Sequence, residues 1–200
     1  GGTLDVPGCG PVVATAGQSG YYRTLYAPAQ LAALRNGFVE LDAIDQLGLM
    51  NDVWALGMAG LQPASDYLDF ALATPQDADP QLWADIAGKL LSLHEYYEGD
   101  AARQARFDDF AVARLSPVFA RVGWEAKAGE ADPVKTLRTQ LIETLGALGD
   151  PDVVAEAKRR YAAQLRDPSA LAGPLRRTVP GVVARHPDAA TWEQLHAAAK

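Results

Sequence analysis

The 200-residue sequence is poor in the side chains that most often carry chemistry: it has one cysteine, Cys9, and three histidines, His94, His186 and His196. A single thiol excludes an intramolecular disulfide and any cysteine-rich metal site. No stretch approaches the roughly 20 uninterrupted apolar residues that a membrane-spanning helix needs. The start, Gly1-Gly2-Thr3-Leu4-Asp5, lacks both the basic flank and the apolar run of a secretory signal, and without an initiating Met the chain reads as a piece of a longer protein. There is no basic surplus either. The formal charge is −7 with the two signs interspersed, which argues against a nucleic-acid partner and against an anionic membrane surface. No G-x-G-x-x-G or Walker-type loop occurs, so nucleotide binding has no support. Arginine outnumbers lysine 13 to 5 and alanine is abundant, a composition that suggests a GC-rich bacterial genome and leaves cytoplasmic and exported locations equally open.

Apolar residues make up 48% of the chain, enough for a sizeable core, and the length favours one principal domain. Residues 1–26 differ in character from the rest of the chain. Val12-Val13-Ala14-Thr15, the turn Gly17-Gln18-Ser19-Gly20 and Tyr21-Tyr22-Arg23-Thr24-Leu25-Tyr26 fit two short strands around a turn. From Pro28 the pattern predicts helices near 28–36, 40–59, 64–73, 80–98, 101–122, 133–148, 151–165, 170–185 and 188–199. Leu82, Ile86, Leu90, Leu93 and Tyr97 recur at steps of three and four and draw one apolar stripe, as do Leu137, Leu141, Leu145 and Leu148. Asp79-Pro80, Asp132-Pro133 and Asp150-Pro151 place a capping side chain before a proline, and Gly60, Gly99 and Gly149 stand where helices should stop. The expected core includes Trp83, Leu90, Phe107, Phe110, Leu137, Leu141 and Leu145.

A faint repeat with an offset of 38 residues pairs Leu137-Arg138 with Leu175-Arg176, Leu141 with Val179, Leu145 with Val183, Val154 with Trp192 and Ala157 with Leu195. Two helices per repeat at a period near 40 imply a mainly α architecture, an α-α superhelix of the HEAT/armadillo type with a short N-terminal β segment.

Candidate chemistry is sparse. His94-Glu95-Tyr96-Tyr97-Glu98 looks like the zinc-peptidase H-E-x-x-H, but its fifth residue is Glu98. His94 and Glu98 offer two ligands on one helical face, whereas a catalytic zinc takes three protein ligands. The competing reading is a helix end with Leu93 and Tyr97 inward and His94, Glu95 and Glu98 solvated. His186 precedes Pro187 at a helix end and suits the local dipole. His196 lies near the terminus, and neither histidine has a nucleophile at catalytic spacing. Cys9, between two glycines, has no neighbour to lower its pKa. Asp108-Asp109 reads as a solvated polar face. Tyr21, Tyr22 and Tyr26 read as aromatics packing a strand against a neighbour. No catalytic or metal-binding residue is therefore assigned, and the substrate-binding residues stay unidentified.

The segment Gly20-Tyr21-Tyr22-Arg23-Thr24-Leu25-Tyr26, followed by a leucine-rich helix, resembles a junction in the zinc aminopeptidases that include aminopeptidase N and the puromycin-sensitive enzyme. There a Gly-Tyr-Tyr-Arg-Val-x-Tyr strand ends a β-sandwich and a large C-terminal helical domain begins. The stretch Leu47-Gly48-Leu49-Met50-Asn51-Asp52-Val53-Trp54-Ala55-Leu56, then Gly123-Trp124, Leu137-Arg138, Leu175-Arg176 and Thr191-Trp192 with Leu195, fall in that domain's order, so the resemblance covers about 20–200. It implies that residues 1–26 are the end of the β-sandwich or its linker and that 27–200 are a helical solenoid, shortened relative to the family. It further implies a non-catalytic domain that encloses the peptide cavity and gates substrate access, with peptide substrates and the parent's own catalytic domain as partners. The family's H-E-x-x-H helix, distant Glu and Gly-x-Met-Glu-Asn strand have no counterpart here, so zinc is expected only in the parent's catalytic domain and no site residue carries over. A shortened solenoid would leave apolar surface at its end, open to self-association. The alternative reading of the same helices is a stand-alone helical-repeat module for protein–protein interaction.

Overall fold

Asp-Pro steps and glycines set the helix ends, and the helices follow this punctuation closely. The computed structural model describes residues 11–198. Among them it contains α1 (Pro28–Asn36), α2 (Ala43–Met58), α3 (Ser65–Ala73), α4 (Pro80–Tyr96), α5 (Ala101–Val122), α6 (Asp132–Ala147), α7 (Pro151–Arg166), α8 (Leu175–Arg185) and α9 (Ala189–Ala198). The Asp79 carboxylate accepts from the Gln81 amide at 2.7 Å, and Asp150 accepts from the amides of Asp152 and Val153 at 3.1 and 2.9 Å, the N-cap role expected of both. Asp132 does not cap. It already lies in the first turn of α6, and its side chain pairs with Lys135. Gly60, Gly99 and Gly149 all have φ between 71° and 93°, a backbone state that costs other residues a steric clash.

The N-terminal β segment is not seen among the described residues. Thr15 leads into a 3-10 turn over Ala16–Gln18, and residues 23–27 run without regular secondary structure into α1. Tyrosines and a threonine favour extended backbone, but a strand exists only where a second strand completes the hydrogen-bond ladder. Here a different device holds the segment. The buried Asp52 on α2 accepts from the Arg23 guanidinium at 3.0 Å and from the Thr24 amide at 3.0 Å. Asp45, nearer the start of the same helix, accepts from the Gly17 amide at 2.7 Å.

The contacts divide the chain after Ala78 into two compact units. In the first unit α3 packs against α1 and α2. Leu34, Phe38, Met50, Val53, Tyr67 and Phe70 are buried there, with edge-to-face ring contacts between Phe38 and Phe70 and between Trp54 and Tyr67.

In the second unit α6 packs between α4 and α8, with α5 against α4 and α6 and α7 against α6 and α8. This is the stacked-pair arrangement the 38-residue offset implied. Trp83, Leu90, Phe107, Leu137, Leu141 and Leu145 are buried as expected. Phe110 is only half-buried. The buried line on α5 runs through Phe107, Ala111, Leu115 and Val118, and Phe110 stands beside it, its ring 6.3 Å from that of Phe107. The repeat has a physical meaning as well. Arg138 reaches back to the carbonyls of Gly123 and Val122, and Arg176 reaches back to those of Leu171 and Pro168. Each arginine thus satisfies carbonyls of the connection that precedes its own helix, and backbone groups need such a partner wherever they are buried. Arg138 differs in being buried with Glu130, which takes its guanidinium through both oxygens at 2.6 Å.

Candidate functional site

His94 sits in the last turn of α4, and its ring is not solvated. Its side chain is 17% exposed, and Nδ1 lies 2.7 Å from an Asp108 carboxylate oxygen on α5. The Gln104 amide nitrogen is 3.3 Å from Nε2 and also donates to the His94 carbonyl at 3.2 Å. One arrangement satisfies all of these: Nδ1–H donates to Asp108 and Nε2 accepts from Gln104. Both ring nitrogens are therefore committed to fastening α4 to α5, while Glu95 and Glu98 point to solvent. Asp108 belongs to this fastener and only Asp109 is on the solvated face. The histidine's partner is 14 residues away on another helix, where no local pattern reveals it. Among the described residues no three His, Cys, Asp or Glu side chains come together in a way that could hold a metal ion. The donor set around His94 does not fit zinc.

His186 caps α8 and its Nε2 lies 2.6 Å from the Gly146 carbonyl on α6, so it ties these two helices together. His196 is exposed on α9, and Cys9 lies outside the described residues. Of the tyrosines, Tyr21 is fully exposed and Tyr22 is 61% exposed. The Tyr26 hydroxyl accepts from the Ala14 amide at 3.0 Å, and the Tyr22 hydroxyl donates to the Ala14 carbonyl at 3.4 Å. Burial pushes the Tyr26 phenol above its ordinary value, and the Asp52 and Asp45 carboxylates push the same way.

Each unit bears an open groove. In the first unit a groove of about 660 Å³ is walled by Leu25, Tyr26, Leu31, Leu61 and Phe70, with Arg35 at its margin. Arg35 is already paired with Asp69. In the second unit a groove of about 570 Å³ runs between α6 and α8. A smaller one of about 390 Å³ adjoins it through Thr139 and Pro174. The walls of the larger groove carry Thr139 and Glu143 from α6 and Arg177, Thr178, Gly181 and Arg185 from α8. Glycine makes this pairing of helices close: a Cβ on Gly146 would stand 2.4 Å from Val182. No spacing in the sequence marks this groove, because its arginines come together with α6 only in the fold.

These helices match a known domain. The family model described as ERAP1-like C-terminal domain matches residues 12–200. Among curated relatives, Aminopeptidase 2 of Candida albicans is 28% identical over 184 residues, which is 90% of this chain and 20% of that protein. Aminopeptidase M1-A of Oryza sativa subsp. japonica is 30% identical over 153 residues, 75% of this chain and 17% of that protein. The Tricorn protease-interacting factor F2 of Thermoplasma acidophilum is 25% identical over 150 residues, 75% of this chain and 18% of that protein. The chain spans a fifth or less of the length of these relatives. With the family model matched over nearly its whole length and aminopeptidases among its relatives, the chain belongs to the ERAP1-like C-terminal domain family, the helical C-terminal domain of M1 aminopeptidases.

Proposed function

We propose that the chain is the non-catalytic, substrate-enclosing domain of a zinc-dependent aminopeptidase, shaping the peptide cavity and gating access to it. The observation that carries this reading is the family match over residues 12–200 by a chain that spans only a fifth or less of aminopeptidase relatives. The side chains agree with a supporting role. The one histidine set in a zinc-like motif spends both ring nitrogens on packing α4 against α5. Zinc in the parent protein supplies an activated water for hydrolysis of the N-terminal peptide bond, held by residues outside this chain. Within each of its two units this chain contributes packed helices bearing an open groove, surfaces suited to an extended ligand.

The test is direct. The purified chain should hydrolyse no aminoacyl-nitroanilide and should retain no stoichiometric zinc after dialysis. Zinc near one per chain that is lost in His94→Ala, or turnover that survives repurification, would overturn the reading.

A further inference from the structure

The acidic chain uses most of its cations internally. Arg138 is paired with Glu130, and Arg159 and Arg160 with Glu156. Among the described residues Arg177 and Arg185, like Arg106 and Arg121, take part in no such pair, but only Arg177 and Arg185 share a groove. Both are exposed on α8, and among the described residues neither has an ion-pair or side-chain hydrogen-bond partner. They are also not scattered. Arg177, Gly181 and Arg185 follow at four-residue steps and line the α6/α8 groove together.

The groove's floor and far wall make it more than two solvated charges. A Cβ on Gly181 would meet nothing within 4 Å, so the space between the arginines is open down to the helix backbone. Thr139 and Thr178 bring hydroxyls to the same groove. Thr139 donates its hydroxyl hydrogen to the Lys135 carbonyl, which leaves that oxygen free to accept. The helices run side by side in the same direction: Thr139 shares the groove with Arg177, while Gly146 meets Val182 and His186. Glu143 therefore projects from α6 at a level between the two arginines, and it too is exposed and without an ion-pair partner among the described residues.

Spacing selects the ligand. Eight residues at a rise of about 1.5 Å separate the arginine backbones by about 12 Å. An extended peptide advances about 3.3 Å per residue, so residues four apart are about 13 Å apart and lie on the same face. We propose that the α6/α8 groove binds an extended acidic peptide segment, with carboxylates four residues apart taken by Arg177 and Arg185. Glu143 faces the middle of the bound segment, where it accepts a peptide N–H and disfavours a third carboxylate. The inference rests on the reading of this chain as a peptide-enclosing domain and adds to it a charge preference and the residues that set it.

The experiment is fluorescence anisotropy with the 200-residue chain and labelled seven-residue peptides. One peptide carries Glu at positions four apart, one carries Gln at the same positions, and one carries two adjacent Glu. Two exposed charge-assisted contacts should make the first bind roughly three- to tenfold tighter than the second, with the adjacent-Glu peptide in between. The advantage should disappear in Arg177→Gln/Arg185→Gln and fade in high salt. Glu143→Gln should tighten binding of a peptide with a third, central Glu. Gly181→Leu, which fills the groove without touching the core, should weaken every acidic peptide. Equal affinity for the Glu and Gln peptides, an advantage that survives the double arginine substitution, or no binding by any peptide would each overturn the groove assignment. None of these results would touch the domain assignment, which is read separately from activity and zinc content.

Discussion

Gly146 and Gly88 are both helix-interior glycines, and the structure predicts opposite outcomes when each is replaced by alanine. On α4, a Cβ at Gly88 would meet nothing within 4 Å. Gly88→Ala should therefore stabilise the protein by up to about 1 kcal/mol, through the helix propensity of alanine and a less flexible unfolded chain. On α6, a Cβ at Gly146 would stand 2.4 and 2.7 Å from the two methyls of Val182 and 3.1 Å from its Cβ. Carbon atoms in contact settle at about 3.5–4.0 Å, so the valine must retreat by about 1 Å. It cannot do so by rotating, because a β-branched side chain in a helix has one strongly preferred rotamer, and at 3% exposure it has no solvent to retreat into. Helices α6 and α8 would have to separate, at an overpacking cost of about 1–3 kcal/mol. The propensity gain offsets about 1 kcal/mol of that. Gly146→Ala should thus fall below Gly88→Ala by roughly 1–3 kcal/mol, or about 2–4 °C in Tm for each kcal/mol. Urea titration followed by circular dichroism measures the difference. A Gly146→Ala protein as stable as Gly88→Ala would refute the close packing of α6 on α8 and the groove built upon it.

Three other contacts make definite predictions. Arg159, with Arg160 behind it, holds the Glu156 carboxyl at about 2 against an ordinary 4.5, so its stabilisation is complete above pH 4.5 and is lost as the pH falls toward 2. The stability gap between wild type and Glu156→Gln should shrink over that acid range in urea titrations, and a gap independent of pH would show the pairing to be inconsequential. Arg138→Ala should cost clearly more than Arg176→Ala in the same assay, since it leaves Glu130 without its bidentate partner as well as freeing two carbonyls; equal costs would contradict this difference between the repeat-related arginines. A double-mutant cycle on His94→Ala and Asp108→Ala should give a coupling of about 1 kcal/mol, and additivity would mean that the two side chains do not fasten α4 to α5.

Much of the helical frame is legible because its punctuation is chemical and local. Asp79 and Asp150 cap the helices they precede, and the 3.6-residue stripe through Leu82, Ile86 and Leu90 turns out buried. The failures are tertiary. Tyr21 to Tyr26 has the composition of a strand, but composition supplies no ladder partner, and Asp52 holds part of it instead. Phe110 lies one step off the buried line of α5, a difference of angle that a list of apolar residues does not resolve. His94 is polar and near a helix end, so it reads as solvated until α5 brings Asp108 to it. Arg177 and Arg185 look like any surface arginines in sequence. What sets them apart is the groove they share.

The most direct test of the substrate-enclosing role is the length dependence of kcat/KM in the full-length protein, measured for an aminoacyl-nitroanilide and for peptides of increasing length, with and without residues 28–200 of this chain. The account predicts that removing these helices leaves nitroanilide hydrolysis measurable and abolishes discrimination among peptides by length. Unchanged length discrimination after their removal would contradict it.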